Sequence, residues 1–342
     1  MRRRRPAGFM PVLNVAWVGS DDKARTIAKK GDSRDIDSYV YKEIIGDEIR
    51  VLSLLRPLRH PERLRPLLSV LNVAKVGVVE ISKVDAALGE VLVAFGCAGI
   101  DTGHAIIAPD EGGWVDPEQV KVILEQAGLA SWTLHDNWPD EHEIRNILFT
   151  HMDNMASERE QEQGDSLVIP VDQHFNVKGV GLVAIGYVQS GTVSKHDEVT
   201  VLPVAENGIA RSLQVMDDDV EMATAGDRVG VALRNLREEA LHRGCVLVSS
   251  GSNALDRHDS SKIVLRIAPF QKRGLTVGDV IHAAVDLQFT VGRVTAMDGA
   301  NISVDWENPL LIRSDDSQMV ILAQLDAGNM RIMGVAESII SA

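Results

Sequence analysis

Residues 177–193, Val-Lys-Gly-Val-Gly-Leu-Val-Ala-Ile-Gly-Tyr-Val-Gln-Ser-Gly-Thr-Val, are apolar on both faces of an extended chain. Val180, Leu182, Ala184 and Val188 fall on one face, and Val183, Ile185 and Tyr187 on the other. A half-solvated strand alternates apolar with polar, so a strand dry on both sides belongs inside a closed or stacked sheet. Gly179 and Gly181 enter the run and Gly186 interrupts it, which marks a bulge, a barrel corner or a close backbone approach. Ser190-Gly191 reads as a turn into the next strand. The stretch predicts the core of a small β-barrel.

The 342-residue chain is too long for one compact core, and two or three domains are expected. No apolar run approaches the ~20 residues that cross a bilayer, so no membrane association is expected. The net charge of −14 counts against broad, nonspecific binding to DNA or RNA, yet leaves room for a local basic patch. Cys97 and Cys245 lie far apart, which argues for a reduced, cytoplasmic protein without a cysteine zinc site. His135 and His142 have neither i,i+3 nor i,i+4 spacing, and no metal site is expected. Met1 to Arg5 reads as a basic tip or an upstream start codon, not as a targeting segment.

Read in order, Val12–Val18 is a buried strand ended by Gly19, and Asp21–Lys30 a loop opening a short helix closed by Gly31. A strand, a tight turn and a helix start can cradle phosphate through converging backbone N–H groups. Against the phosphate-loop pattern G-x-x-x-x-G-K-[ST], Gly19 and Thr26 are in register, but the second glycine is Ala24 and the lysine is Arg25. An ordinary strand–helix turn is the alternative. Residues 38–45 and 49–55 form a hairpin-like pair, and the arginine-rich 56–71 is a solvated amphipathic helix or a patch for an anionic partner. Strands at 76–81, 105–108 and 132–134 alternate with helices at 84–97, 117–128 and 141–155, which implies a mostly parallel sheet covered on both faces. Residues 156–165 are charged and lack an apolar face, as a linker does. Beyond them, strand-length runs recur with turns at Asn207-Gly208 and Ala225-Gly226-Asp227. Residues 249–261 break the pattern, and from 262 a second strand-rich block has turns at Asp298-Gly299 and Asp326-Ala327-Gly328. The expected architecture is an α/β domain at 1–164, a β-barrel at 165–257 and a second β-barrel at 258–342.

Several fixed spacings carry a family resemblance. Pro170-Val171-Asp172-Gln173, Phe175 to Gly181, Gly186, Ser190 to Val193, Asp197-Glu198 and Ala225 to Gly230 resemble the second domain of elongation factor Tu-type translational GTPases. Phe270 to Asp279 and His282 are similar to the third domain of the selenocysteine-specific elongation factor, SelB, and of its archaeal SelB-like paralogues. The resemblance implies a P-loop-GTPase-like first domain followed by two antiparallel barrels. It also exposes departures. No threonine occurs between Thr26 and Thr102 to serve as a switch ligand for Mg²⁺. The second switch is represented by Arg56 to Leu64, where His60 is a remnant of the water-positioning histidine and the metal aspartate is gone. The guanine-reading motif is Ile107-Ala108-Pro109-Asp110, with only its aspartate kept.

Phosphoryl transfer depends on positioning and on Mg²⁺ neutralising charge. Gly19, Arg25, Thr26 and Asp110 therefore make a degenerate nucleotide site, and no cofactor is expected, with GTP and Mg²⁺ as the alternative. By the same resemblance, Asp172, Gln173 and Arg228 line an aminoacyl pocket, with a turn cap and a rim ion pair as the plain alternative. Lys272, Arg273 and His282 are candidate contacts to RNA phosphates. The partners implied are tRNA or aminoacyl-tRNA and the ribosome. A divergent active GTPase, or an adaptor binding through residues 56–65, are the competing functions.

Overall fold

The computed structural model describes residues 10–46, 48–156, 166–315 and 318–342. The N-terminal arginine run and all but Ala156 of the expected linker lie outside them.

The first domain contains β1 (Val12–Val18), α1 (Asp21–Ile27), β2 (Lys29–Ser33), β3 (Ile36–Ile45), β4 (Glu48–Pro57) and α2 (Arg65–Leu71). These are followed by β5 (Val76–Ile81), α3 (Ala86–Cys97), β6 (Gly103–Ile107), α4 (Pro117–Gln126), β7 (Thr133–His135) and α5 (Glu141–Asn154). One sheet runs β2-β3-β4-β1-β5-β6-β7. Its β4-β1-β5-β6-β7 portion is parallel, while β2, β3 and β4 form an antiparallel meander. The central strands read as unbroken apolar runs because helices cover both faces. Aspartates start three of those helices: the side chains of Asp85, Asp116 and Asp140 accept N–H groups of the first turns of α3, α4 and α5.

Trp132 explains a pair of glycines. Gly77 of β5 and Gly103 of β6 are register partners. A Cβ on either would come within 2.4 Å of the indole, which lies on the sheet. The indole N–H donates to Ile100 O at 2.9 Å, and Phe95 meets the ring edge-on at 4.9 Å.

The first barrel contains β8 (Val168–Val177), β9 (Gly181–Tyr187), β10 (Thr192–Ser194), β11 (Glu198–Leu202) and β12 (Glu206–Val215). It continues through β13 (Asp218–Val220), β14 (Met222–Thr224), β15 (Arg228–Arg234) and β16 (Val246–Ser249). The order β11-β16-β8-β9-β15-β12 closes by pairing β12 with β11. The second barrel, β17 (Leu255–Ile267), β18 (Val280–Val285), β19 (Gln288–Asp298), β20 (Asn301–Arg313), β21 (Ile321–Ala323) and β22 (Ile332–Ser341), closes as β17-β20-β19-β18-β21-β22. The α/β domain followed by two antiparallel barrels is the architecture expected.

Four local readings are corrected. Gly179 and Gly181, both with positive φ, form the β8–β9 hairpin turn and do not enter a strand. Gly31 lies inside β2 and ends no helix, because α1 stops at Ile27. Asn207-Gly208 sits inside β12, and the preceding turn is made by residues 203–205. β17 starts at Leu255, ahead of the boundary expected at 258. Gly186 behaves as read: it faces a register shift between Val171 and Gln173, and a Cβ there would lie 2.4 Å from Pro170 O.

The three parts are docked tightly. One apolar cluster runs from α2 and α3 into Ala284, Leu287, Ile321 and Ile332 of the second barrel. Another joins Val12 and Val51 to the core of the first barrel. Asn14 Nδ2 donates to Gly226 O at 2.9 Å across that seam.

Candidate ligand-binding site

The candidate positions fall into four places. At the carboxyl end of β1, only Gly19 and Ser20 connect the strand to α1, so the backbone turns straight into the helix. Ala24 is thus an ordinary buried helix residue, and the strain expected of its Cβ does not arise. The Ser20 N–H donates to Glu80 Oε2 at 2.6 Å, and a Cβ on Gly19 would meet that same carboxylate at 2.9 Å. Trp138 stacks on Trp17 with centroids 5.6 Å apart and donates its N–H to Glu80 Oε1 at 3.3 Å. Arg25 is exposed and paired with Asp21, and the Thr26 hydroxyl donates to Lys23 O at 2.8 Å. Asp110 lies on the same sheet edge, two strands away after β6, in an exposed turn.

Beside this loop a charged cluster is built on Asp21 and the buried Asp37. Lys30 bridges the two at 2.9 and 2.7 Å, Arg56 reaches Asp37 at 3.2 Å and Gly19 O at 2.6 Å, and the Tyr39 hydroxyl donates to Asp21. Hydrogen bonds from Tyr39, Arg25 and Lys30 hold the Asp21 carboxyl well below the usual range. Arg56 is therefore turned inward, and the basic stretch from 56 to 65 is not one solvated face: Arg59 and Arg63 are exposed while Arg65 is half-buried.

His60 is held elsewhere. Its Nε2 lies 2.9 Å from Glu90 Oε2, and Glu90, 1% exposed, also accepts from the Arg331 backbone at 2.8 Å and from its guanidinium. Burial pushes the Glu90 carboxyl up, but the bonds from His60 and Arg331 outweigh it and hold the pKa down to about 2. His60 thus belongs to a latch between α3 and the second barrel, away from the β1 loop.

The third place is the seam between the first domain and the first barrel. Asp172 and Gln173 on β8, Arg228 opening β15, and Arg243 before β16 converge there. Gln173 Nε2 donates to Asp172 Oδ2 at 3.2 Å and to Asp32 Oδ2 at 3.1 Å. Arg243 reaches Asp35 at 2.5 Å, and its Nε is 3.2 Å from Asp172 Oδ1. Tyr187 is buried beside Arg228, and burial pushes its phenol up to about 12. Asp172, Gln173 and Arg228 are thus brought together. Arg243, Asp32, Asp35 and Arg65 join them without having been singled out in the sequence.

The RNA candidates divide. Lys272 is exposed, and Arg273 is exposed with its guanidinium on Asp326 O at 3.2 Å. His282 instead stacks on Phe289 at 4.8 Å, half-buried, and burial holds its pKa below the ordinary value. It is an interior contact, not a solvent-facing one.

One cluster escaped the sequence reading. His104, 4% exposed on β6, has one ring nitrogen 2.9 Å from His135 and the other 2.9 Å from His151. Burial, then the neighbouring His151 and His135, push the His104 pKa down to about 4. All three rings are depressed, so the folded state keeps them neutral while the unfolded chain takes up protons near pH 6.5. Stability is therefore full above pH 6.5 and falls on acidification toward pH 4, with roughly 3 kcal/mol from His104 alone. Urea midpoints at pH 7 and pH 5 should separate, and His104→Gln should reduce that separation. Among the described residues, no group of three or more His, Cys, Asp or Glu side chains is arranged to hold a metal ion. Cys97 and Cys245 are free and buried, and burial pushes both thiols up to about 11. No helix among the described residues is long and apolar enough to cross a membrane.

An α/β domain joined to two closed barrels, with an acid–arginine pocket on the first, defines a protein of the elongation factor Tu and SelB class. Residues 181–248 match the family Elongation factor Tu domain 2. The chain belongs to one family with uncharacterized protein MJ0325 of Methanocaldococcus jannaschii, to which it is 30% identical over 329 residues, covering 96% of this chain and 100% of that protein. It is also 26% identical over 216 residues to the selenocysteine-specific elongation factor of the same organism, covering 58% of this chain and 45% of that protein. The structure of translation elongation factor SelB from Methanococcus maripaludis, in complex with the GTP analogue GppNHp, shares the fold. Its TM-score is 0.77 at 18% identity, over 96% of this chain and 79% of that one.

Proposed function

We propose that the chain is a SelB-like, cytoplasmic translation factor that holds an aminoacyl-tRNA or a related translational RNA, and that its first domain has given up efficient GTP hydrolysis. The observation that carries this reading is Glu80. A triphosphate needs converging free N–H groups at the strand–helix turn. Here the Ser20 N–H is taken by a carboxylate, in a two-residue turn flanked by Asp21. A fixed negative charge at that amide opposes phosphate, and no switch threonine or metal aspartate offsets it. The other end supports the binding half of the proposal. Asp172, Gln173 and Arg228 are gathered into one pocket on the first barrel, and Lys272 and Arg273 stand exposed on the second. These two exposed cations suit backbone contacts that position an RNA without reading it.

The test has two arms. Filter binding at low salt should show a preference for aminoacylated over free tRNA, and equal retention would end the RNA-holding reading. Calorimetry with Mg-GTP should give no saturable heat in the micromolar range. The fluorescence of Trp17, stacked in the turn's own strand, should stay unchanged. Saturable binding with phosphate release above background would instead restore an active GTPase.

A further inference from the structure

The pocket on the first barrel holds more positive charge than its own carboxylate neutralises. Arg228 and Arg243 come from the barrel and Arg65 from the start of α2, against the single Asp172. Arg65 shares their surroundings: burial first, and then the charge of Arg243, lower its pKa, while Asp35 and Asp172 act in the opposite sense. The balance comes from the first domain. Asp32 and Asp35, at the turn of the β2–β3 hairpin, reach into the cluster, Asp35 onto Arg243 at 2.5 Å and Asp32 toward Arg228 at 3.9 Å.

That neutralisation is incomplete in hydrogen-bond terms. Arg65 Nε, Arg228 Nε, Arg243 Nε and one terminal nitrogen of Arg243 are buried without a hydrogen-bond acceptor; Arg243 Nε is 3.2 Å from Asp172 but out of line for a bond. Buried charged donors left unmade are costly and rare, and each such group calls for a missing acceptor. Guanidinium forks match the paired or triply arranged oxygens of carboxylates and phosphates. The hairpin that supplies the two aspartates is also the least anchored part of the sheet: β2 pairs only with β3 and is exposed at four of its five residues. Such an element opens at low free-energy cost.

We propose that Arg65, Arg228 and Arg243 form an oxyanion site occupied in this structure by Asp32 and Asp35 as an internal plug, and that the ligand displacing the plug carries a carboxylate or phosphate group. The proposal rests on the RNA-holding reading only for where such a group would come from, an acidic acyl end; the site itself is tested without RNA. Inorganic phosphate and, separately, acetate are titrated into the full chain by calorimetry, with chloride as the control. The Asp32→Asn, Asp35→Asn double variant keeps the hairpin's shape and removes its charge, and it should bind at least one of the two anions about tenfold more tightly than the parent. Arg243→Gln should lose about tenfold. Should it fail to fold, Arg243→Lys keeps the charge without the fork and should weaken binding in the same direction. Tightening for phosphate alone assigns a phosphate site, and tightening for acetate a carboxylate site. If the double variant binds neither anion more tightly than the parent does, or if both arginine variants bind as the parent does, the proposal is overturned. Failure of tRNA discrimination beside intact anion binding would remove the RNA reading and leave this site standing.

Discussion

Replacing Glu90 with alanine should cost about 3–5 kcal/mol of stability, because it strands a buried guanidinium. Arg331 has 11% of its side chain exposed and finds three of its donors on this one carboxylate. The change would also free His60, which has no other partner named here. The position joins α3 to the second barrel, so the loss should appear as weakened docking of that barrel as well as a lower urea midpoint. Glu90→Gln, which retains an acceptor oxygen, should lose less. A midpoint shift equivalent to under 1 kcal/mol for the alanine variant would mean that the latch contributes nothing net. The same carboxylate predicts acid sensitivity. Its folded pKa, near 2, lies below the ordinary 4.5, so its contribution is complete above pH 4.5 and is lost as pH falls toward 2.

Trp132→Ala should cost a similar ~3–5 kcal/mol, through the lost transfer of the indole and the cavity it leaves. The cavity cannot close easily, since Gly77 and Gly103 offer no side chains to move into it. This gives a sharper test by double-mutant cycle. Gly103→Ala alone should destabilise, because its methyl would stand 2.4 Å from the indole, and all three nearest atoms belong to Trp132. In the Trp132→Ala background the same methyl enters the vacated space and should be neutral or stabilising. Additive costs in the two backgrounds would show that the ring and the glycine do not share that volume.

Much of the fold was legible because its strands are dry. β1 and β5 coincide with the runs read from the sequence, since strands buried on both faces are continuously apolar, and α4 and α5 begin where their aspartate caps stand. β2 was missed for the opposite reason. Lys29 to Ser33 is a polar edge strand held only by pairing with β3, and nothing in its side chains marks it as extended. Asn207-Gly208 carried a turn signal that tertiary pairing with β11 overrode. At the site, Asp172, Gln173 and Arg228 could be singled out because they lie within or beside fixed spacings of the barrel. Arg65 and Arg243 could not: they come from separate parts of the chain, and only docking of the first domain on the barrel makes them neighbours. His60 was readable as a remnant by position, but its attachment to Glu90 depends on a helix thirty residues further on. His104, His135 and His151 have no helical spacing, because β6, β7 and α5 each contribute one ring.

The apolar cluster shared by α2, α3 and the second barrel bears on how such a molecule could let go of anything it holds. A factor that swings its parts apart must break a wet, easily parted joint; here the equivalent joint is a slab of aliphatic side chains latched by Glu90. With no stroke available there, residence time on the first barrel would be governed by the small acidic hairpin competing for the same arginines. Release becomes a matter of competition at one end of the molecule, with no clock at the other.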